Sequence, residues 1–290
     1  MIENAAPPDQ DHELEQPETI GADRTAAAAV AKALTGGVDR EQREAAEAEA
    51  AARDADPGLW EKLEWGRLNP RRLARERIVS LDRRQPGHVA VDMIRTRLRP
   101  LLEENGWKKV GITSPTPGCG KTFMSANLAF SLVRGLESRA ALFDLDMKSP
   151  SVAKSFGHRK HKSMVDFLTG QVAPEDFLLR FDEKLAVGLN TEKSVASAEI
   201  LSTPRAREII DRSVDDLGVE AAIIDLPPLL STDDALAALP MLDCVMLVIS
   251  SGHTKRKEVQ QCERLLQDQV NFLGCVINKC EERLFERYYY

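Results

Sequence analysis

The chain has 290 residues, enough for one large domain with extensions. Charged residues make up 29% and aromatics 5%, the balance of an aliphatic core under a polar surface, and the longest apolar run, Met241 to Ile249, is broken by Asp243 and too short to span a bilayer. Net charge is −7 but uneven: residues 1–60 carry 14 acids against 5 bases and residues 61–100 carry 11 bases against 5 acids, which implies one local basic segment and no general nucleic-acid affinity.

The first 57 residues are rich in Ala, Glu and Asp, with Pro7, Pro8 and Pro17 and almost no large apolar side chains. They are expected to form a disordered acidic tail. No signal peptide is expected, because the N-terminus is acidic without an apolar core. Residues 58–86 read as a basic arm. Leu59, Trp60, Leu63 and Trp65 form an apolar cluster, followed by Arg67, Arg71, Arg72, Arg75, Arg77, Arg83 and Arg84. Such an arm packs on the domain through its tryptophans, or meets a partner protein, an acidic membrane or nucleic acid. The spacing of Val89, Met93, Leu98 and Leu102 predicts a helix over 88–102, kinked or ended by Pro100.

From there strands and helices alternate. Strands are expected at 109–113, 140–144, 186–189, 221–225, 244–249 and 272–277, and helices at 123–133, 164–168, 205–216, 233–239 and 257–267. The strands are Val/Ile/Leu-rich without polar alternation, as in a parallel sheet covered on both faces. The expected fold is therefore three-layer α/β, mainly parallel, with its ligand site at the carboxyl ends of the strands. The domain is expected over 87–287.

Between the strand at 109–113 and the helix from Phe123 lies Ser114-Pro-Thr-Pro-Gly-Cys-Gly-Lys-Thr122. Strand, Gly-rich turn and helix together form a phosphate-binding loop. Gly118 and Gly120 admit phosphate to the backbone N–H groups of the turn, including those of Cys119 and Phe123. Lys121 reaches the outer phosphates and the Thr122 hydroxyl suits Mg²⁺. Pro115 stands where the usual motif has its first glycine. Cys119, next to a lysine and a helix start, is a candidate redox-sensitive thiol, though a space-filling role is the simpler reading. The other cysteines are Cys244, Cys262, Cys275 and Cys280. The odd total of five cysteines and the lack of any Cys-x-x-Cys pair suit a reducing cytoplasm. His158, His161 and His253 have no ligand-like company.

Two further strand ends carry acids: Asp144-Leu-Asp146 and Asp225-Leu-Pro-Pro228. In a parallel sheet both reach the edge that bears the phosphate loop. Asp146 and Asp225 are candidates to hold Mg²⁺, and Asp144 to take a proton or orient a nucleophile. A third strand ends in Asn278-Lys279, where Asn278 suits a base edge. Asp233-Asp234 reads as a helix cap. All three tyrosines of the chain are its last residues, Tyr288, Tyr289 and Tyr290. A globular domain normally spreads tyrosine through core and rim, so the cluster reads as a hydroxyl substrate.

With the loop at 116–122, Asp144-x-Asp146, Asp225-Leu-Pro-Pro228 and the tyrosine cluster at 288–290, the chain resembles the bacterial tyrosine kinases of capsule and exopolysaccharide systems, within the P-loop superfamily of MinD and ParA. The resemblance covers about 87–290 and includes the stretches 151–157, 202–205 and 277–279. It implies ATP and Mg²⁺ as cofactors and autophosphorylation of Tyr288, Tyr289 and Tyr290 between subunits of a ring. It implies Asp144 as base, with Asp146 and Asp225 at the metal. It further implies activation by a membrane-embedded polysaccharide co-polymerase, reversal by a cognate tyrosine phosphatase, and a cytoplasmic protein recruited to the inner face of the plasma membrane through that partner, with no nucleic acid. The family's oligomerisation motif maps onto Asp92 and Arg95, but Leu98 replaces its last arginine, and Lys148 stands where the family usually has arginine. The competing reading is a partition or positioning ATPase like MinD or ParA; those proteins carry an additional lysine where this chain has Thr116.

Overall fold

The structure is a computed structural model that describes residues 58–81, 87–134 and 139–280. The acidic tail expected over 1–57 and the tyrosines at 288–290 lie outside the described residues.

In chain order the elements are α1 (Leu59–Lys62), β1 (Glu64–Trp65), α2 (Pro70–Arg75), a 3-10 turn (Val79–Leu81), α3 (Gly87–Asn105), β2 (Lys109–Thr113), α4 (Lys121–Leu132), β3 (Ala140–Asp144), α5 (Val152–Phe156), α6 (Met164–Thr169), α7 (Pro174–Phe177), β4 (Leu179–Asp182), β5 (Leu185–Gly188), α8 (Ser197–Leu201), α9 (Pro204–Asp216), β6 (Ala221–Asp225), α10 (Asp234–Ala238), a second 3-10 turn (Leu239–Met241), β7 (Cys244–Ser250), α11 (Arg256–Leu266) and β8 (Asn271–Asn278). Among the described residues the strands form one sheet in the order β1-β4-β5-β3-β6-β2-β7-β8. β5, β3, β6, β2, β7 and β8 run parallel; β4 pairs antiparallel with β5, and β1 runs with β4.

The expected three-layer parallel fold is therefore present, and the strand residues explain it. Leu142, Ile112 and Ile223 face a core shared with α3 and α4. Their neighbours Phe143 and Ile224 face the opposite core, shared with α6 and α9. Each strand thus buries both faces, which is why its sequence shows no polar alternation. Helix starts carry local signals: the Ser163 hydroxyl accepts from the Asp166 N–H, and the Thr203 hydroxyl accepts from the Ala206 N–H ahead of Pro204.

Two features differ from expectation. Pro100 does not end α3, which runs on to Asn105. Leu98 and Leu102, buried on either side of the proline in the α4 core, hold the helix through it. Residues 58–81 are also more than a basic stretch. Trp60, Leu63, Leu73 and Ile78 are buried, and β1 extends the sheet beyond β4. Arg180 lies between the rings of Trp60 and Trp65, at 5.4 and 4.6 Å from their centroids.

The carboxyl ends of β2, β3 and β6 are level. Ile112 pairs with Asp225, and Asp225 pairs with Asp144. This register delivers the loop and both acidic strand ends to one point.

Candidate active site

The turn between β2 and α4 needs its glycines. Gly118 and Gly120 have φ of 82° and 99°, the left-handed region that side chains disfavour. At Gly120 there is no room for a side chain, since a Cβ would lie 2.0 Å from Asn278 Nδ2. The turn leaves Lys121 and Thr122 at the first two positions of α4, under its free N–H groups.

Each of these two side chains reaches one acidic strand end. Lys121 Nζ donates to Asp146 Oδ2 at 2.5 Å, with both side chains buried. Thr122 Oγ1 donates to Asp225 Oδ2 at 2.6 Å, and Ser125 Oγ donates to Asp225 Oδ1 at 3.0 Å. Ser151 Oγ donates to Thr122 Oγ1 at 2.8 Å and ties the turn after β3 to the loop. Asp144 is held differently. Its Oδ2 accepts from the backbone N–H groups of Ser151 and Val152 at 3.0 and 2.9 Å, at the start of α5.

Charge balance follows from burial. Asp144 is held well above the usual carboxylate range, first by desolvation and then by the nearby Asp225; the Val152 and Ser151 N–H groups and Lys121 oppose the shift without reversing it. Asp225 is also raised by burial, against the pull of Lys121 and Thr122. Burial pushes Lys121 down, but Asp225, Asp146 and Asp144 together outweigh it and raise its pKa, so it stays an ammonium. The site is a buried cation among three carboxylates, with hydroxyls and helix N–H groups turned toward it.

Asn278 and Lys279 meet the loop from β8. Asn278 Nδ2 donates to the Cys119 carbonyl at 2.9 Å and Lys279 Nζ to that of Gly118 at 2.7 Å. Here the Asn278 amide nitrogen serves the loop. Cys119 is buried, its sulfur 3.7 Å from both Thr116 Oγ1 and Thr254 Oγ1. Asp92 and Arg95 lie away from this edge and bond within the chain. Arg95 Nη1 donates to Asp92 Oδ1 at 3.1 Å and to the Ser131 carbonyl at 3.0 Å. Asp233 makes no side-chain cap on α10, and Asp234 is fully buried.

Sequence reasoning gave no role to Ser125 or Ser151. Ser125 had a usable signal: it lies three residues after Thr122 and so on the same face of α4. Ser151 had none, since its partner is 29 residues earlier in the chain.

Residues 110–289 match the model of the CobQ/CobB/MinD/ParA nucleotide binding domain. The chain belongs to that family. Within it, the sequence is similar to bacterial tyrosine-protein kinases. EpsB of Ralstonia solanacearum, named for such a kinase, is 30% identical over 71% of this chain and 27% of its own length. The tyrosine-protein kinase YwqD of Bacillus subtilis is 28% identical over 64% of this chain and 78% of its own. The kinase domain of the Escherichia coli tyrosine kinase ETK shares the fold, with a TM-score of 0.62 at 24% identity over 68% of this chain and 77% of that one. The chain thus spans about a quarter of EpsB and most of YwqD.

Proposed function

We propose that this chain is an ATP-dependent protein-tyrosine kinase that phosphorylates Tyr288, Tyr289 and Tyr290 on a second copy of itself and thereby regulates polysaccharide polymerisation and export. The observation that carries the reading is the division of labour among the acids. Asp146 and Asp225 answer Lys121 and Thr122, while Asp144 stands beside them with no side-chain donor of its own. A nucleotide hydrolase needs the first arrangement; a group that accepts a proton from an incoming hydroxyl is the addition a kinase needs.

The residues fit ATP and Mg²⁺. The left-handed glycines open the turn to phosphate, and Thr122 and Asp225 bring hard oxygen atoms within 2.6 Å of each other, with Asp146 near Lys121. Thr122, Asp146 and Asp225 would hold the ion, whose contribution is to offset charge on the phosphate oxygens. Lys121 exchanges Asp146 for the outer phosphates when nucleotide binds. The helix start at 121–123 supplies N–H groups to the same oxygens. Asp144 has no exposed surface and is held by the Ser151 and Val152 N–H groups, so it meets a tyrosine hydroxyl only when the start of α5 gives way. Its raised pKa makes it a stronger base, once ionised, than a solvated carboxylate. Asn278 reads the base when it leaves the Cys119 carbonyl.

The same reading assigns the partners: a membrane-embedded polysaccharide co-polymerase as activator, a tyrosine phosphatase as antagonist, and further copies of the chain in a ring through the Asp92 and Arg95 region of α3. No described helix is long and apolar enough to cross a membrane, so the proposed place at the inner face of the plasma membrane depends on that activator. The test is incubation of the protein with labelled ATP and Mg²⁺, with the activator supplied, followed by mapping of the phosphate. Phosphotyrosine within 288–290 that disappears in Lys121→Met is the expected result. Steady ATP hydrolysis without phosphotyrosine would sink the proposal.

A further inference from the structure

The loop after β5, residues 190–196, sits beside the catalytic edge and takes no part in holding the phosphate loop. β5 pairs with β3 in parallel, Gly188 opposite Phe143, so this loop leaves the sheet level with Asp144. The sheet order runs β8-β7-β2-β6-β3-β5 across the site. Lys121 leans from the end of β2 toward Asp146 after β3. A nucleotide gripped by this loop and Lys121 would carry its outer phosphate on the β3 side. In-line transfer puts the attacking oxygen opposite the leaving oxygen, so the acceptor enters from the β5 side.

There the chain presents one apolar side chain. Val195 is 94% exposed, the highest value among the exposed large hydrophobic residues described. Single exposed apolar residues are common and mean little by themselves. Here the loop is pinned to the catalytic turn on both sides of that residue. The Ser194 N–H donates to the Met147 carbonyl at 2.9 Å, and Lys148 Nζ donates to the Val195 carbonyl at 3.0 Å. Behind Lys148 lies Asp234, fully buried, its Oδ1 3.9 Å from Lys148 Nζ. Neither oxygen of Asp234 has a hydrogen-bond partner. A buried carboxylate without donors is costly, and the Lys148 ammonium is its nearest compensation. Asp234 thus draws Lys148, Lys148 holds the Val195 backbone, and the Val195 side chain is held out at the rim beside the turn at Met147 and Lys148.

We propose that residues 190–196 form the acceptor platform of this enzyme, with Val195 as the apolar contact for the tyrosine ring of the incoming copy and Lys148 as the positioning residue that holds the platform. This rests on the tyrosine-kinase reading above and names the substrate-facing residue of that site. Val195 is held through its carbonyl and is otherwise exposed, so a change of its side chain leaves the fold intact.

The experiment uses two full-length copies. The enzyme copy carries Tyr288→Phe, Tyr289→Phe and Tyr290→Phe; the acceptor copy carries Lys121→Met and keeps its tyrosines. Initial rates are measured against acceptor and against ATP. Val195→Ser in the enzyme copy should raise the KM for acceptor about fivefold to tenfold, the scale of one lost partly buried aliphatic contact, and leave the KM for ATP unchanged. Val195→Leu should restore the acceptor KM. Lys148→Met should raise the same KM, and adding Val195→Ser to it should cost less than Val195→Ser costs alone, because the platform is already released. An unchanged acceptor KM in Val195→Ser, or an equal rise in both constants, overturns the platform. With the activator supplied, an enzyme copy with Val195 intact that forms no phosphotyrosine on the acceptor overturns the kinase reading itself.

Discussion

The two acidic strand ends of the site are held by different means. Asp225, at the end of β6, is met by side-chain hydroxyls from Thr122 and Ser125. Asp144, at the end of β3, is met by backbone N–H groups at the start of α5. Hydroxyls rotate, so Asp225 can hand its donors to an arriving ligand and accept other company at small cost. Backbone donors are fixed by the helix they begin, so Asp144 is freed only by moving a segment. One acid is suited to answering the nucleotide and the other to being gated by whatever shifts Ser151 and Val152 at the start of α5.

The largest effect expected is that of Lys121→Met. It removes the one cation among three buried carboxylates, and breaking a buried pair from one side costs about 3–5 kcal/mol. Phosphotyrosine should vanish, and the melting temperature should drop at neutral pH but recover toward pH 4, as the stranded acids take up protons. Asp144→Asn should separate the two strand ends cleanly. Transfer should fall at least a hundredfold, within the range of general base catalysis, while nucleotide affinity by calorimetry stays near that of the parent.

The same variant tests the charge on Asp144. Its folded pKa is raised, so between the unfolded value near 3.9 and the folded one the folded state binds more protons. Stability is therefore lost as pH rises through that window. Asp144→Asn should remove this slope and melt higher than the parent at pH 7; a variant that melts lower would mean that the carboxylate is favourable where it sits. Thr122→Ala should cost about 1–3 kcal/mol by leaving an Asp225 oxygen short of a donor, and should weaken the Mg²⁺ dependence of nucleotide binding. Ser125→Ala is the mildest, about 1 kcal/mol, with little change in transfer, because Thr122 still answers Asp225.

The parts of this site that are contiguous in the chain could be read from it. Gly118 to Thr122 form one turn, and Asp144, Asp146 and Asp225 each close an apolar run that is unmistakable as a strand. Parallel pairing then brings them together with no further information. What could not be read depends on register between distant segments. The Lys121–Asp146 pair and the Ser151–Thr122 bond need the exact rise of β3 beside β6 and β2, which no local pattern encodes. The two-residue strand Glu64–Trp65 is shorter than any periodicity, and its partner β4 is more than a hundred residues away. Pro100 misled for a related reason. A proline rule is local, whereas α3 is held by what Leu98 and Leu102 touch.

The grip of β8 on the phosphate loop has a mechanical side. Asn278 and Lys279 hold the carbonyls of Cys119 and Gly118 with side-chain donors, and Gly120 leaves Asn278 no slack. Asn278 is at once the last residue of β8, paired with Ser250, and the donor to Cys119, so a displacement of the end of β8 reaches the sheet and the loop carbonyls together. The end of the last strand and the nucleotide grip are thus one mechanical unit, and the carbonyls of Cys119 and Gly118 move wherever Asn278 and Lys279 are carried.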